Sequence, residues 1–276
     1  CAEAHKNLCW SLRRLGKLDE AIEHGESACR LSDDPDATFY LAFACLTANR
    51  NQEALDLCER TLASDPRNIP IMSLMVTALE RCGRREDGQR LADFDSLVFS
   101  AELNAPVGYS SLEAFNAELA RIIMAAPSRP LDATQTLDIF EQPEGPIYTL
   151  WTTFNQVAQH YLTSLPVNAS HPFLTARPER WVLDAWGNRL RGNPEQEHHF
   201  HHHGWLSGVY YVDIPPFVNA AETEETGVGG CIEFCRFNAF SDEPTEAEFM
   251  VVRPQAGTIV LFPSFVFHRV LSFQST

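Results

Sequence analysis

A repeat in the first hundred positions constrains this chain more than any other feature. Gly16-Lys-Leu-Asp-Glu-Ala21 is followed by Ala28 and then Pro35. Ala21 recurs as Ala54, in Asn51-Gln-Glu-Ala54, and Pro66 closes Ala63-Ser-Asp-Pro66. Gly83 answers Gly16 close to two periods on. Self-similarity at a period of about 33 residues marks stacked units, each too small to bury its apolar face alone. Each unit reads as two amphipathic helices. The small residues sit where one helix crosses its neighbour closely, and Pro stops the second helix.

This pattern, over Cys1 to Leu97, resembles the tetratricopeptide repeat, as three units of which the third carries Gly88 where Ala is the strong choice. A plain bundle of helical hairpins is the simpler alternative. Repeats of this type bind peptides or act as spacers and carry no chemistry of their own. The resemblance therefore implies a helical unit at 1–98 that recruits a protein or peptide partner rather than shaping a site. Removing Cys1 to Leu97 is then expected to leave turnover intact.

Phe99 to Ser111 contains Asn104, Pro106 and Gly108 and reads as a linker, 99–110. A helix follows from Ser111, with Ser110 or Ser111 as its cap and Glu113 in its first turn. Ala125 to Pro146 holds four Pro and no long periodicity, so it reads as loop. Ile147 to Leu165 returns to helical spacing. These helices are expected to buttress a sheet.

From Arg180 the period changes to two. Candidate strands are Arg180 to Trp186, His199 to His202, Leu206 to Val212, Gly230 to Phe234, Phe249 to Val252 and Thr258 to Phe262. Many short strands between Gly and Pro turns predict an antiparallel sandwich or barrel. The first of two informative segments is His198-His-Phe-His-His-His203. It competes with readings as a tag, a loose His-rich surface tract or ordinary strand-end residues. In a strand, residues two apart share a face, about 6.5–7 Å apart at Cα. Two imidazoles so placed can close on one ion with bonds of about 2.0–2.1 Å. The pair is His199 with His201 or, one register later, His201 with His203; His198 and His202 face away. The second segment runs from Pro254 through a turn at Gly257 and a break at Pro263 to His268. His268 alone reads as a packed or surface histidine. With the His-x-His strand it becomes a third ligand, and three ligands leave open coordination positions, as in catalytic metal sites.

Arg180-Trp, Trp186-Gly-Asn, His199-x-His201, Leu206-Ser-Gly-Val-Tyr-Tyr-Val212, Gly230-Cys-Ile-Glu-Phe and Gly257-Thr-Ile-Val-Leu-Phe-Pro-Ser with His268 resemble bacterial 2-oxoglutarate/Fe(II)-dependent oxygenases. In that group tetratricopeptide repeats often precede the catalytic domain. The resemblance runs from about Leu112 to the end. It implies an α+β chain whose oxygenase domain spans 111–276. A helical lead-in at 111–170 precedes a double-stranded β-helix, a jelly-roll barrel, at 171–276. It implies Fe(II) held by His199, His201 and His268, and 2-oxoglutarate as co-substrate. The expected activity is hydroxylation of a small molecule or peptide, with release of succinate and CO₂. Two departures stand out. The superfamily uses two His and one carboxylate, and here His201 occupies the carboxylate position. The family's basic partner for the distal carboxylate of 2-oxoglutarate is also missing. Arg269 adjoins His268 and in a strand points to the other face, so the partner is expected on a strand beyond Thr276. A zinc-dependent hydrolase or a non-catalytic metal-binding barrel on a repeat scaffold is the alternative, and a weaker one makes the barrel inert and the repeats functional. Trp205, Tyr210, Phe262 and Phe265 are candidate pocket walls, with ordinary core packing as the simpler reading.

Net charge is −16, which repels phosphate backbones and argues against nucleic acid. No apolar run approaches the roughly 20 residues of a membrane span. Five of the eight Cys lie on apolar helical stripes, and Cys231 and Cys235 suit no usual zinc spacing. A reducing cytoplasm is the expected compartment.

Overall fold

The computed structural model describes residues 1–32, 34–130, 132–189, 197–215, 229–235 and 249–272. Its first third is helical: α1 (Ala2–Arg14), α2 (Leu18–Leu31), α3 (Pro35–Thr47), α4 (Asn51–Ser64), α5 (Ile69–Arg81), α6 (Arg85–Leu91) and α7 (Phe94–Leu97). Helices α1, α3 and α5 begin at Ala2, Pro35 and Ile69, which reproduces the period read from the sequence. From α1 to α6 each helix packs on the next, and α1 and α5 also pack on α3. Ala21 and Ala54 are fully buried, as close helix crossings require. Pro66 falls just past the end of α4 at Ser64, as expected, whereas Pro35, and Pro70 beyond Pro66, stand in the first turns of α3 and α5. There the missing N–H is unneeded and the fixed φ already suits a helix, so these two prolines open helices.

The chain then forms β1 (Phe99–Glu102), α8 (Leu112–Ala125), β2 (Ser128–Arg129), β3 (Asp132–Thr136), α9 (Gly145–Ser164) and α10 (Pro172–Thr175). The remaining strands are β4 (Leu206–Tyr210), β5 (Ile232–Cys235), β6 (Phe249–Val252), β7 (Thr258–Pro263) and β8 (Phe267–Val270). The Ser111 side chain caps α8 by accepting from the Ala114 amide. Two antiparallel three-stranded sheets form, in the orders β1-β7-β4 and β6-β5-β8, with β2 and β3 as a separate ribbon. The fold is thus α+β. The two sheets meet where Phe234 of β5 packs its ring 4.9 Å from that of Phe262 of β7. Every residue of β7 is buried, which matches its apolar run and central place. Gly257 turns into β7 at φ +88°, a conformation that favours glycine.

Several expectations need correction. The supposed linker opens with β1, paired to β7 from Phe99↔Leu261 to Glu102↔Thr258. The Pro-rich stretch 125–146 holds the β2–β3 ribbon. Arg180 to Trp186 makes no ladder. It is held by Ile139 N–H donating to Ala185 O and by Ala185 N–H donating to the Asp138 carboxylate. His199 to His202 is a single bridge rather than a strand. The helices also share a core with the rest of the chain. One apolar core runs from Cys9 through Phe39 and Phe94 to Phe173, Phe234 and Phe262. The Tyr161 hydroxyl donates to Leu97 O at 2.8 Å, and His171 Nε2 lies 3.1 Å from Leu91 O.

All eight cysteines are free, and no helix among the described residues is long and apolar enough to cross a membrane.

Candidate metal centre

The segment before β4 runs antiparallel to β8. His199 N–H donates to His268 O at 3.0 Å, and His268 N–H donates back to His199 O at 2.9 Å. Two residues on, His201 N–H donates to Ser264 O. This pairing puts the side chains of 199, 201 and 268 on one face. Their imidazoles converge, with one ligand nitrogen from each lying within 4.8 Å of the others. Ring centroids are 4.4 Å apart for His199 and His268, 5.0 Å for His201 and His268, and 5.6 Å for His199 and His201. Among the described residues no other group of three metal-binding side chains comes together.

Each ring has its Nδ1 occupied by the protein. His199 Nδ1 faces Glu197 O at 3.1 Å, and His268 Nδ1 faces Val266 O at 3.0 Å. A carbonyl only accepts, so both Nδ1 atoms carry the proton and both Nε2 atoms keep a free lone pair. His201 Nδ1 lies 2.8 Å from Ser207 Oγ, which lies 2.7 Å from Ser264 Oγ. Ser264 is wholly buried, and a Cβ at position 204 would meet its hydroxyl at 2.8 Å, so Gly204 leaves room for this relay. Hydrogen bonds of this kind fix a ligand's tautomer and ring orientation. Burial also holds two rings neutral. It pushes His268 down to about 3 and His201 down to about 4, with His199 adding repulsion in both cases. Neutral imidazoles with aligned lone pairs are what a divalent cation requires. Bonds of about 2.0–2.1 Å put donors roughly 3 Å apart, so the cluster is slightly open and would close on an ion.

The other histidines of the tract take different positions. His203 is exposed and outside the cluster. His202 and Phe200 turn toward the helices. Phe39 of α3 lies 5.4 Å from the His202 ring and 6.0 Å from Phe200. Helix α3 thus touches the tract on the side facing away from the triad, through Phe39. Of the four candidate wall residues, only Phe262 adjoins the triad, 4.6 Å from His268. Trp205 stacks on Phe173 at 4.1 Å, Phe265 packs on Phe173, and Tyr210 donates to Asn116 Oδ1.

Sequence reading missed Ser207, Ser264 and Glu233. Glu233 offered a signal, as a lone charge between Ile232 and Phe234 in an otherwise apolar strand. It is 8% exposed, and its carboxylate accepts from Arg269 Nε at 2.8 Å and lies 3.0 Å from His198 Nε2. Arg269 thus points away from the triad, as its place next to His268 implied.

Residues 184–276 match the family model described as "Putative 2OG-Fe(II) oxygenase". The match holds all three histidines and covers about a third of the chain. No curated protein and no solved structure matches the chain.

Proposed function

We propose that this chain is a 2-oxoglutarate- and Fe(II)-dependent oxygenase whose metal is held by His199, His201 and His268. The observation that carries the reading is the convergence of three imidazoles inside the segment that matches an oxygenase family model. Bound Fe(II), with 2-oxoglutarate and O₂, supplies the oxidising chemistry that hydroxylates a C–H bond and releases succinate and CO₂. The chain's own residues do the rest. Glu197 O, Val266 O and Ser207 Oγ hold the three rings so that Nε2 faces the ion. Phe262 and Phe234, beside His268, keep water from its inner side. Three protein ligands leave the remaining positions to co-substrate and O₂. Arg269, engaged by Glu233, is not the anchor for the distal carboxylate of 2-oxoglutarate. Residues 273–276 lie outside the described residues.

The same reading takes the sheets as parts of a jelly-roll barrel and the helices as tetratricopeptide units. The even spacing of the starts of α1, α3 and α5 supports the second point, and a protein partner or peptide substrate on those helices fits it. The test is succinate formation by the full-length protein from 2-oxoglutarate under air. Release that needs Fe(II) and disappears in His268→Ala is the expected result. One observation favours a second reading: the third ligand is His201 where the superfamily has a carboxylate, and three imidazoles suit a hydrolytic zinc. Absence of succinate, together with tight Zn(II) binding and hydrolysis of a model ester, selects that reading.

A further inference from the structure

Behind the triad, the sheet carries a second polar row on its opposite face. Neighbouring positions along a strand alternate faces. Phe234 pairs with His268, and His268 with His199. One residue along, Glu233 pairs with Arg269, and the same antiparallel register puts His198 opposite Arg269. His199, His268 and Phe234 therefore form one cross-strand row, and His198, Arg269 and Glu233 form the next on the other face. One oxygen, Glu233 Oε1, accepts from Arg269 Nε at 2.8 Å and faces His198 Nε2 at 3.0 Å. His198 immediately precedes one ligand and Arg269 immediately follows another.

A buried carboxylate is an expensive choice for this place. Its desolvation costs several kcal/mol, and an apolar residue of similar size commonly does better for stability alone. The neighbours Ile232 and Phe234 show that the strand accepts such residues, and both are buried. Something other than packing therefore calls for the charge. The backbone bonds of His199 with His268 and of His201 N–H with Ser264 O set the spacing of the two segments, and Glu233 adds the side-chain tie between them on the outer face. Donors that must come to roughly 3 Å from one another around an ion are sensitive to how the two segments are oriented.

We propose that Glu233 is a positioning residue of the metal centre: by gripping His198 and Arg269 from the outer face, it fixes the orientation of the two segments that present His199 and His268 on the inner face. The inference rests on the reading that the triad holds a divalent ion and is independent of the reaction catalysed there.

The test is Co(II) titration of the full chain, followed by visible d–d absorption and by competition for affinity. Wild type is expected to bind one Co(II) per chain, and His268→Ala to lose it; absence of Co(II) binding by wild type sinks the metal reading itself and this inference with it. Glu233→Gln keeps the shape and removes the charge. It is expected to bind Co(II) about 10–100-fold more weakly, the range typical of residues supporting a ligand, and with an altered d–d band. Leu55→Ala, buried in α4 away from the sheets, destabilises the apo fold without touching the row and should leave Co(II) affinity at the wild-type value. Unchanged affinity and spectrum in Glu233→Gln overturn the proposal, and so does an equal loss in Leu55→Ala. Should Glu233→Gln not fold, Arg269→Gln at its more exposed position reads the same grip from β8: a several-fold loss supports the proposal and wild-type affinity overturns it.

Discussion

Helices α1 to α6 take their partners from next door, α1 on α2, α2 on α3 and so on to α6. Strand β7 takes its partners from residues 99–102 and 206–210, and β8 from 232–235 and from His199. The first arrangement resembles a one-dimensional stack, whose stability is close to a sum over neighbours. The second closes long loops, so every contact depends on the rest being in place. The metal triad belongs to the second kind, since His199 and His201 come to His268 only after the intervening chain has folded back. Yet the two regions share a core, and the seam between them is where the comparison can be broken or sharpened.

The largest expected effect comes from removing 1–98. Deletion exposes Phe173, Phe234 and Tyr161, takes away the carbonyls of Leu91 and Leu97, and lifts Phe39 from behind Phe200. Losing several buried aromatic contacts, each worth about 3–5 kcal/mol when truncated, exceeds the roughly 5–15 kcal/mol that holds a typical domain together. The 99–276 fragment should therefore lack a cooperative urea transition. A fragment that unfolds cooperatively and binds metal with native affinity would show the two regions to be independent.

The next effect separates the two faces of the His tract. His268→Ala removes one of three ligands. Ion binding at a four-ligand zinc site is worth about 10–16 kcal/mol, so a single ligand represents a few kcal/mol, or at least a hundredfold in affinity. His202→Ala removes a ring that faces Phe39 and should change affinity less than threefold. Competition titration of Zn(II) decides between them. Comparable losses in both variants would mean that histidine density, rather than the inner-face geometry, holds the ion.

What could be read from the sequence follows the same division. The helices were legible because their partners lie within one period, so apolar spacing and small residues carry the whole signal. His199, His201 and His268 were legible because alternation along an extended segment is a local rule, and because the turn at Gly257 and the break at Pro263 frame the strand before His268. Strand β1 was not. Phe99-Ser-Ala-Glu102 is short, has little β preference, and pairs with Thr258 to Leu261, far along the chain. Arg180 to Trp186 misled in the opposite way: its composition suits a strand, but its hydrogen bonds go to Asp138, Ile139 and Asn155 rather than to a ladder. The grip of Glu233 on Arg269 and His198 depends on register across strands, which no local pattern records.

The smallest effect tests the seam itself. His171 is buried between the regions, its Nε2 facing Leu91 O at 3.1 Å. Because a carbonyl only accepts, that nitrogen carries the proton, and Nδ1 is left buried without a partner. Protonating Nδ1 would create a buried N–H and a charge with no acceptor on that side. Burial accordingly lowers the His171 pKa from its ordinary value near 6.5, against the raising influence of the Leu91 carbonyl and of Asp93. The sign follows. The folded state binds fewer protons than the unfolded state, so stability is full above about pH 6.5 and declines as pH falls below it. His171→Gln keeps an N–H of similar reach for Leu91 O and cannot titrate. Its unfolding free energy from urea titration should match wild type within about 1 kcal/mol at pH 7.5, since the same hydrogen bond remains. Between pH 7.5 and 5.5 the variant should lose less stability than wild type, the metal-binding histidines contributing equally to both proteins in the presence of chelator. Parallel pH profiles for the two would show that the seam is insensitive to the charge on His171.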